Sequence, residues 1–177
     1  MARRLRLTPE DARAIVEYNR AVFDRFVRRV RNLPGREATR RRGIGHESLF
    51  DTLVHVLHVQ EAWLGFIVPG RRKELLAALK DSSYRHPKNW RDFDAYSARV
   101  WAAVDATVRT LTPRRLAAVV RAPWMPGVYT ARDALLQTTM EEAHHLGEVI
   151  GALWQDDRAS PDMTWIDVRR PPRGRSR

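Results

Sequence analysis

Cysteine is absent from the 177 residues. That excludes disulfides, thiolate nucleophiles and cysteine-type zinc sites, and it leaves histidine and carboxylates as the strong metal ligands available. No apolar run is long enough to span a bilayer. The stretch around Leu64 to Val68 is far too short, and Met1 to Pro9 is charged and lacks the apolar core of a signal peptide. A soluble cytoplasmic protein without a membrane partner is therefore expected. Neither a GxGxxG nor a Walker loop occurs, and no internal repeat is visible. Lysine is scarce as well: with Lys73, Lys80 and Lys88 alone, the basic charge is almost wholly arginine.

What is present suits one domain with a packed interior, since 44% of the residues are hydrophobic and 6 are tryptophan. The domain is expected over residues 1–168, with a basic, disordered tail at 169–177. A formal net charge of +11, from 32 Lys+Arg against 21 Asp+Glu, admits a nucleic-acid partner. That partner is not favoured, because no nucleic-acid-binding motif occurs and much of the excess sits in short blocks. Arg3, Arg4 and Arg6, then Arg40, Arg41 and Arg42, then Arg169 to Arg177 all read as solvated ends and connections.

Four long helical segments account for most of the chain. Thr8-Pro9-Glu10-Asp11 is a helix start, and apolar residues from Ala12 to Leu33 recur every three or four positions until Pro34-Gly35. Asn19 falls on that inward stripe, so its amide either bonds a neighbouring helix or lines a pocket. After Gly43-Ile44-Gly45-His46-Glu47, Ser48 can cap a second helix reaching about Ile67, apolar nearly all round as a central bundle helix is. A short helix from Arg71 to about Lys80 and a polar loop from Asp81 to Asn89 lead to helix three, about Trp90 to Leu111. Leu116 to Val120 reads equally as a helical turn or a short strand. Thr130 caps the fourth long helix, Ala131 to about Gln155, and Pro161, Met163, Trp165 and Ile166 are apolar enough to pack back on the bundle.

Titratable residues inside apolar helices are informative, because burying them is costly unless a partner compensates. His55 and His58 lie one turn apart among aliphatic neighbours in helix two. In helix four, Glu141 and His145 stand in an i, i+4 relation that projects both from one face. Such a pair, completed by a ligand from a facing helix, is how bundles assemble metal sites. Zn, Ni, Fe, Mn or Co would each accept one carboxylate and two imidazoles. Spacing alone leaves a second reading open, in which the histidine is a hydrogen-bonded core residue and the Glu-His pair a surface ion pair.

The segment Leu53-Val54-His55, continuing into Gln60-Glu61-Ala62-Trp63-Leu64, and the segment Glu141-Glu142-Ala143-His144-His145-Leu146-Gly147-Glu148 resemble the DinB/YfiT-like metalloenzyme family. Its bundles carry Leu-x-His in helix two and, in the last long helix, His or Glu, three residues, then His, usually within His-His-x-Gly. The resemblance runs from about Thr8 to Asp167 and includes Pro161-Asp162-Met163. Glu141 stands where many relatives place histidine. The resemblance implies an all-α, DinB-like four-helix bundle with a short extra helix and a packed C-terminal tail. It implies one divalent metal ion held by His55, Glu141 and His145. Relatives include metal-dependent thiol transferases and a mycothiol-dependent isomerase, so a hydrolase or small-group transferase acting on a small molecule, with a low-molecular-weight thiol as cosubstrate, is expected. The alternative is a non-catalytic, basic, stress-related or nucleic-acid-associated binding protein. Family members are often dimeric, and Trp90, Trp124 or Trp165 would serve a homodimer as anchors.

Beside the triad, His144 points about 100° away from His145 and reads as outward or supporting. His58 reads as a core histidine or a pocket wall. Asp51, one turn before His55, either accepts its free N–H or stabilises the helix start. His46 and His86, in loops, read as solvated.

Overall fold

Every long helix starts where a polar side chain takes up an orphan backbone N–H. Asp11 N donates to Thr8 Oγ1 at 3.1 Å and Thr8 N donates to Asp11 Oδ2 at 2.9 Å, opening α1 (Pro9–Arg31). The same device recurs at Ser48 before α2 (Leu49–Gln60), at Asn89 before α4 (Trp90–Arg109) and at Thr130 before α6 (Ala131–Gln155), each with aspartate three residues on. The structure, a computed structural model, describes residues 7–43, 45–80 and 87–169. The expectations for Arg3, Arg4, Arg6, His86 and the tail from residue 170 lie outside the described residues.

The fold is all-α, a helical bundle with one tiny sheet. α2 packs most extensively on α6 and also meets α4, while α1 packs on the same two helices. α1 and α2 therefore stand at opposite corners, and the connection between them crosses the end of the bundle. Phe23, Phe26, Leu53, Leu57, Phe93 and Leu146 are fully buried between the four, each contributing roughly 1.5–3 kcal/mol relative to exposure. Asn19, also buried, donates through Nδ2 to Thr139 Oγ1 at 3.2 Å, the interhelical bond that an inward amide requires. No described helix is long and apolar enough to cross a membrane.

The expected second helix changes its winding part-way. From Glu61 to Ile67 it is π-helical, with Val68 N donating to Trp63 O at 2.9 Å and Arg71 N to Phe66 O at 2.7 Å. All seven residues of this stretch are buried, and Glu61 accepts the Tyr96 hydroxyl at 3.0 Å with Arg99 at 3.8 Å. After α3 (Arg72–Lys80) and α4, the ambiguous stretch contains both elements: α5 (Pro113–Leu116), then β1 (Val119–Val120) antiparallel to β2 (Tyr129–Thr130). This pair fixes the base of the loop carrying Trp124 and Met125.

The C-terminal segment, ending in α7 (Trp165–Arg169), lies along α1. Tyr18 donates to Met163 O at 2.5 Å and packs on Trp165, and Arg25 and Arg29 donate to the carbonyls of Asp162 and Ala159. In the arginine block of the crossover Arg40 and Arg41 are exposed, as expected, and Arg42 departs from the solvated reading. The Arg42 side chain is only 6% exposed and reaches Glu37 at 2.8 Å and Asp156 at 2.5 Å, while Arg40 reaches the same two carboxylates. Two carboxylates converging at the end of α6 compensate the buried guanidinium, and they tie the crossover to that helix. Trp90 also packs inward, edge-on to Phe50, whereas Trp124 and Trp165 are exposed.

Candidate metal centre

α2 and α6 run antiparallel, and their facing surfaces bring His55 and His145 together with ring centroids 4.5 Å apart. A third imidazole joins them from the crossover. His46 stacks on His55 at 3.9 Å and lies 5.2 Å from His145. One potential ligand atom of each of His46, His55 and His145 lies within 4.8 Å of the other two. His46 is half-buried, not solvated as its loop position suggested. The crossover is held down by Arg40 and Arg42, closed by Arg42 N donating to Glu47 O at 3.1 Å, and pressed onto α6 at Gly45. Gly45 has φ +60°, and a Cβ there would stand 2.5 Å from Glu148 Oε2. Glycine alone satisfies both the left-handed backbone and the close approach. The sequence sign was Gly43-Ile44-Gly45 directly before His46, a pattern able to bend a chain sharply.

The carboxylates divide their roles. Glu148 Oε2 lies 2.8 Å from His145 Nδ1, which sets that nitrogen as the donor and leaves Nε2 with its lone pair. Glu141 Oε2 is 3.4 Å from that Nε2, and Glu141 Oε1 accepts from Gln137 Nε2 at 2.6 Å. Glu141 thus stands against His145 at the edge of the three-imidazole group. His144 is exposed and meets the other oxygen of Glu148 at 3.4 Å. Asp51 caps α2 with Ser48, whose hydroxyl donates to it at 2.5 Å, and it borders a polar hollow. His58 is half-buried and edge-on to Tyr96.

Two hollows meet at His55 and His58. One, of about 360 Å³, is polar and lined by His46, Glu47 and Asp51 besides. The other, of about 520 Å³, extends from Glu141 and Gln137 toward Trp63 and Trp124. Asn19 lines neither.

The donor set suits a divalent ion. Burial and the crowding of His46, His145 and His58 push His55 down to about 3, and burial followed by His145 lowers His46, so both rings are neutral bases at neutral pH. Neutral imidazole is the form that ligates. Residues 18–149 match the DinB superfamily. The chain belongs to that superfamily. No curated protein matches it. DinB-superfamily proteins often bind divalent metals, and the matched segment contains His46, His55, Glu141 and His145.

A neighbouring acid went unnoticed in the sequence. Glu142 is 4% exposed, takes Gln60 Nε2 at 2.7 Å, and burial holds its carboxyl well above the usual range. It lies on a different face of α6 from Glu141, about 100° around the helix.

Proposed function

We propose that this DinB-superfamily protein is a metal-dependent enzyme, a hydrolase or a small-group transferase using a thiol cosubstrate. Of the expected ligands, His55 and His145 converge with His46, and Glu141 stands 3.4 Å from His145. The single observation that carries this reading is the convergence of three imidazoles from separate segments, beside a carboxylate, at the meeting of two hollows. A divalent ion held there supplies the Lewis acidity that makes a water or thiol nucleophilic near neutral pH.

The chain's own residues do the rest. Glu148 fixes the tautomer and direction of His145. Gln137 anchors Glu141 by one oxygen, so the other faces His145 and brings the negative charge that offsets a dication among apolar helices. His58 borders both hollows outside the donor set, and its imidazole is the group we assign to accept the nucleophile's proton.

Element-resolved metal analysis of untagged protein tests this reading. Near-stoichiometric divalent metal is expected in the wild type and in His144→Ala, with loss in His55→Ala and His145→Ala. Glu141→Gln should bind weakly while keeping its fold. Metal content indistinguishable from wild type in all four variants would overturn the site.

A further inference from the structure

The larger hollow is apolar over most of its lining. Val59, Ala62 and Trp63 form one wall, while Leu79 and Trp124 stand at the mouth. Trp63 is 5% exposed and Trp124 44%, their rings edge-to-face at 5.8 Å. Leu79 is 46% exposed. The inner end is polar, with His55, Gln137 and Glu141. A volume of about 520 Å³ falls in the roughly 300–1,000 Å³ range of small-molecule sites.

Charge narrows the class of ligand. The chain carries 32 Lys+Arg, yet among the described residues no lysine or arginine lines this hollow, while the Glu141 carboxylate does. A carboxylate, phosphate or sulfonate placed between Trp63, Leu79 and Trp124, away from the metal donors, would lose water with no described lysine or arginine lining the hollow to compensate it. An aromatic ring would instead meet the Trp124 face and displace water from Leu79. We propose that this hollow is the subsite for a neutral aromatic or branched-alkyl compound whose reactive atom points toward His55 and Glu141. The inference deepens the metal-dependent reading and rests on it for the reactive end, while the apolar subsite itself is testable without metal.

The test uses two fluorescent probes with the same ring system, neutral N-phenyl-1-naphthylamine and its 8-sulfonate, titrated into chelator-treated and metal-loaded protein. The neutral probe should bind saturably in both forms, with the sulfonate at least about tenfold weaker in the chelator-treated protein. Trp124→Ala should weaken the neutral probe about tenfold. Leu79→Glu, at another exposed position, should do the same by bringing charge to the mouth, so the test survives if one variant does not fold. Equal affinity for both probes in chelator-treated protein, or neutral-probe binding unchanged by both variants, would overturn the proposal. Metal-loaded protein that binds no neutral probe would overturn the subsite alone. Probe binding in protein that takes up no metal would support the subsite and leave the metal-dependent reading refuted.

Discussion

Replacing Gly45 by alanine should damage the centre from outside it. The residue directly precedes His46 and has no side chain of its own, but it has φ +60° and its added Cβ would lie 2.5 Å from Glu148 Oε2 and 3.0 Å from Glu148 Cδ. The left-handed backbone costs an alanine about 1–2 kcal/mol. Glu148 must then move, and its bond with His145 Nδ1, 2.8 Å in the native fold, contributes about another 1.5 kcal/mol. Gly43 supplies the control in the same loop, because its φ is +67° and nothing lies within 4 Å of its added Cβ. Gly43→Ala should therefore lose only the backbone part, about 1–2 kcal/mol, and keep its metal affinity. Gly45→Ala should lose about 3 kcal/mol by denaturant unfolding of chelator-treated protein, and metal affinity by titration calorimetry should fall about 10–100-fold, the usual effect of removing a carboxylate behind a ligating histidine. With Glu148→Ala added, Gly45→Ala should weaken metal binding little further, because the carboxylate it displaces is already gone. Equal metal affinity in Gly43→Ala and Gly45→Ala, or fully additive losses in the double variant, would refute this account.

Two further predictions concern stability. Burial holds the Asp24 carboxyl above its usual range despite Arg20 and Arg28; with a folded pKa above the unfolded one, its contribution is present at pH below the unfolded value and is lost as pH rises through the folded value. Asp24→Asn should remove that loss, so the difference in unfolding free energy from wild type should shift in favour of the variant as pH rises from acid to neutral; a difference that does not vary with pH would contradict the sign. Tyr18→Phe should cost about 1 kcal/mol by removing the hydroxyl from Met163 O, and faster amide exchange confined to residues 159–169 would locate the loss, whereas global acceleration would show that this segment does not open separately.

Local signals were legible and distant ones were not. The caps at Thr8, Ser48 and Thr130 and the three-to-four-residue apolar spacing place α1, α2 and α6 within a few residues, because they report on backbone groups close in sequence. The outward direction of His144 relative to His145 was likewise legible from helical geometry, whereas the choice of His55 over His58 came from the resemblance to the DinB/YfiT-like family. The π-helical stretch was not: a run buried on every side carries no periodicity to reveal a change from four-residue to five-residue bonding. His46 escaped because its place depends on a crossover pinned from the far end of α6 by Asp156, more than a hundred residues away. The two-residue strands of the sheet are too short to show alternation.

The pairing of Gln60 with Glu142 bears on why α2 and α6 meet in the register that joins His55 to His145. Hydrophobic contact between two largely apolar helix faces discriminates poorly between neighbouring registers, since one leucine replaces another at little cost. A buried carboxyl is different. Glu142 is buried, and Gln60 Nε2 at 2.7 Å is the bond across to α2. In an antiparallel pair, moving five residues forward along α2 from His55 to Gln60 corresponds to moving three residues back along α6 from His145 to Glu142, about 7.5 Å against about 4.5 Å of helix rise. The remainder is within the reach of two extended side chains. A slip of one turn would separate the amide from the acid and leave a polar group without a partner in the core, a cost of about 1–3 kcal/mol. The same slip would carry His55 about 5.4 Å from His145. The polar pair and the imidazole cluster therefore demand the same alignment, and the pair enforces it in the folded chain whether or not an ion is bound.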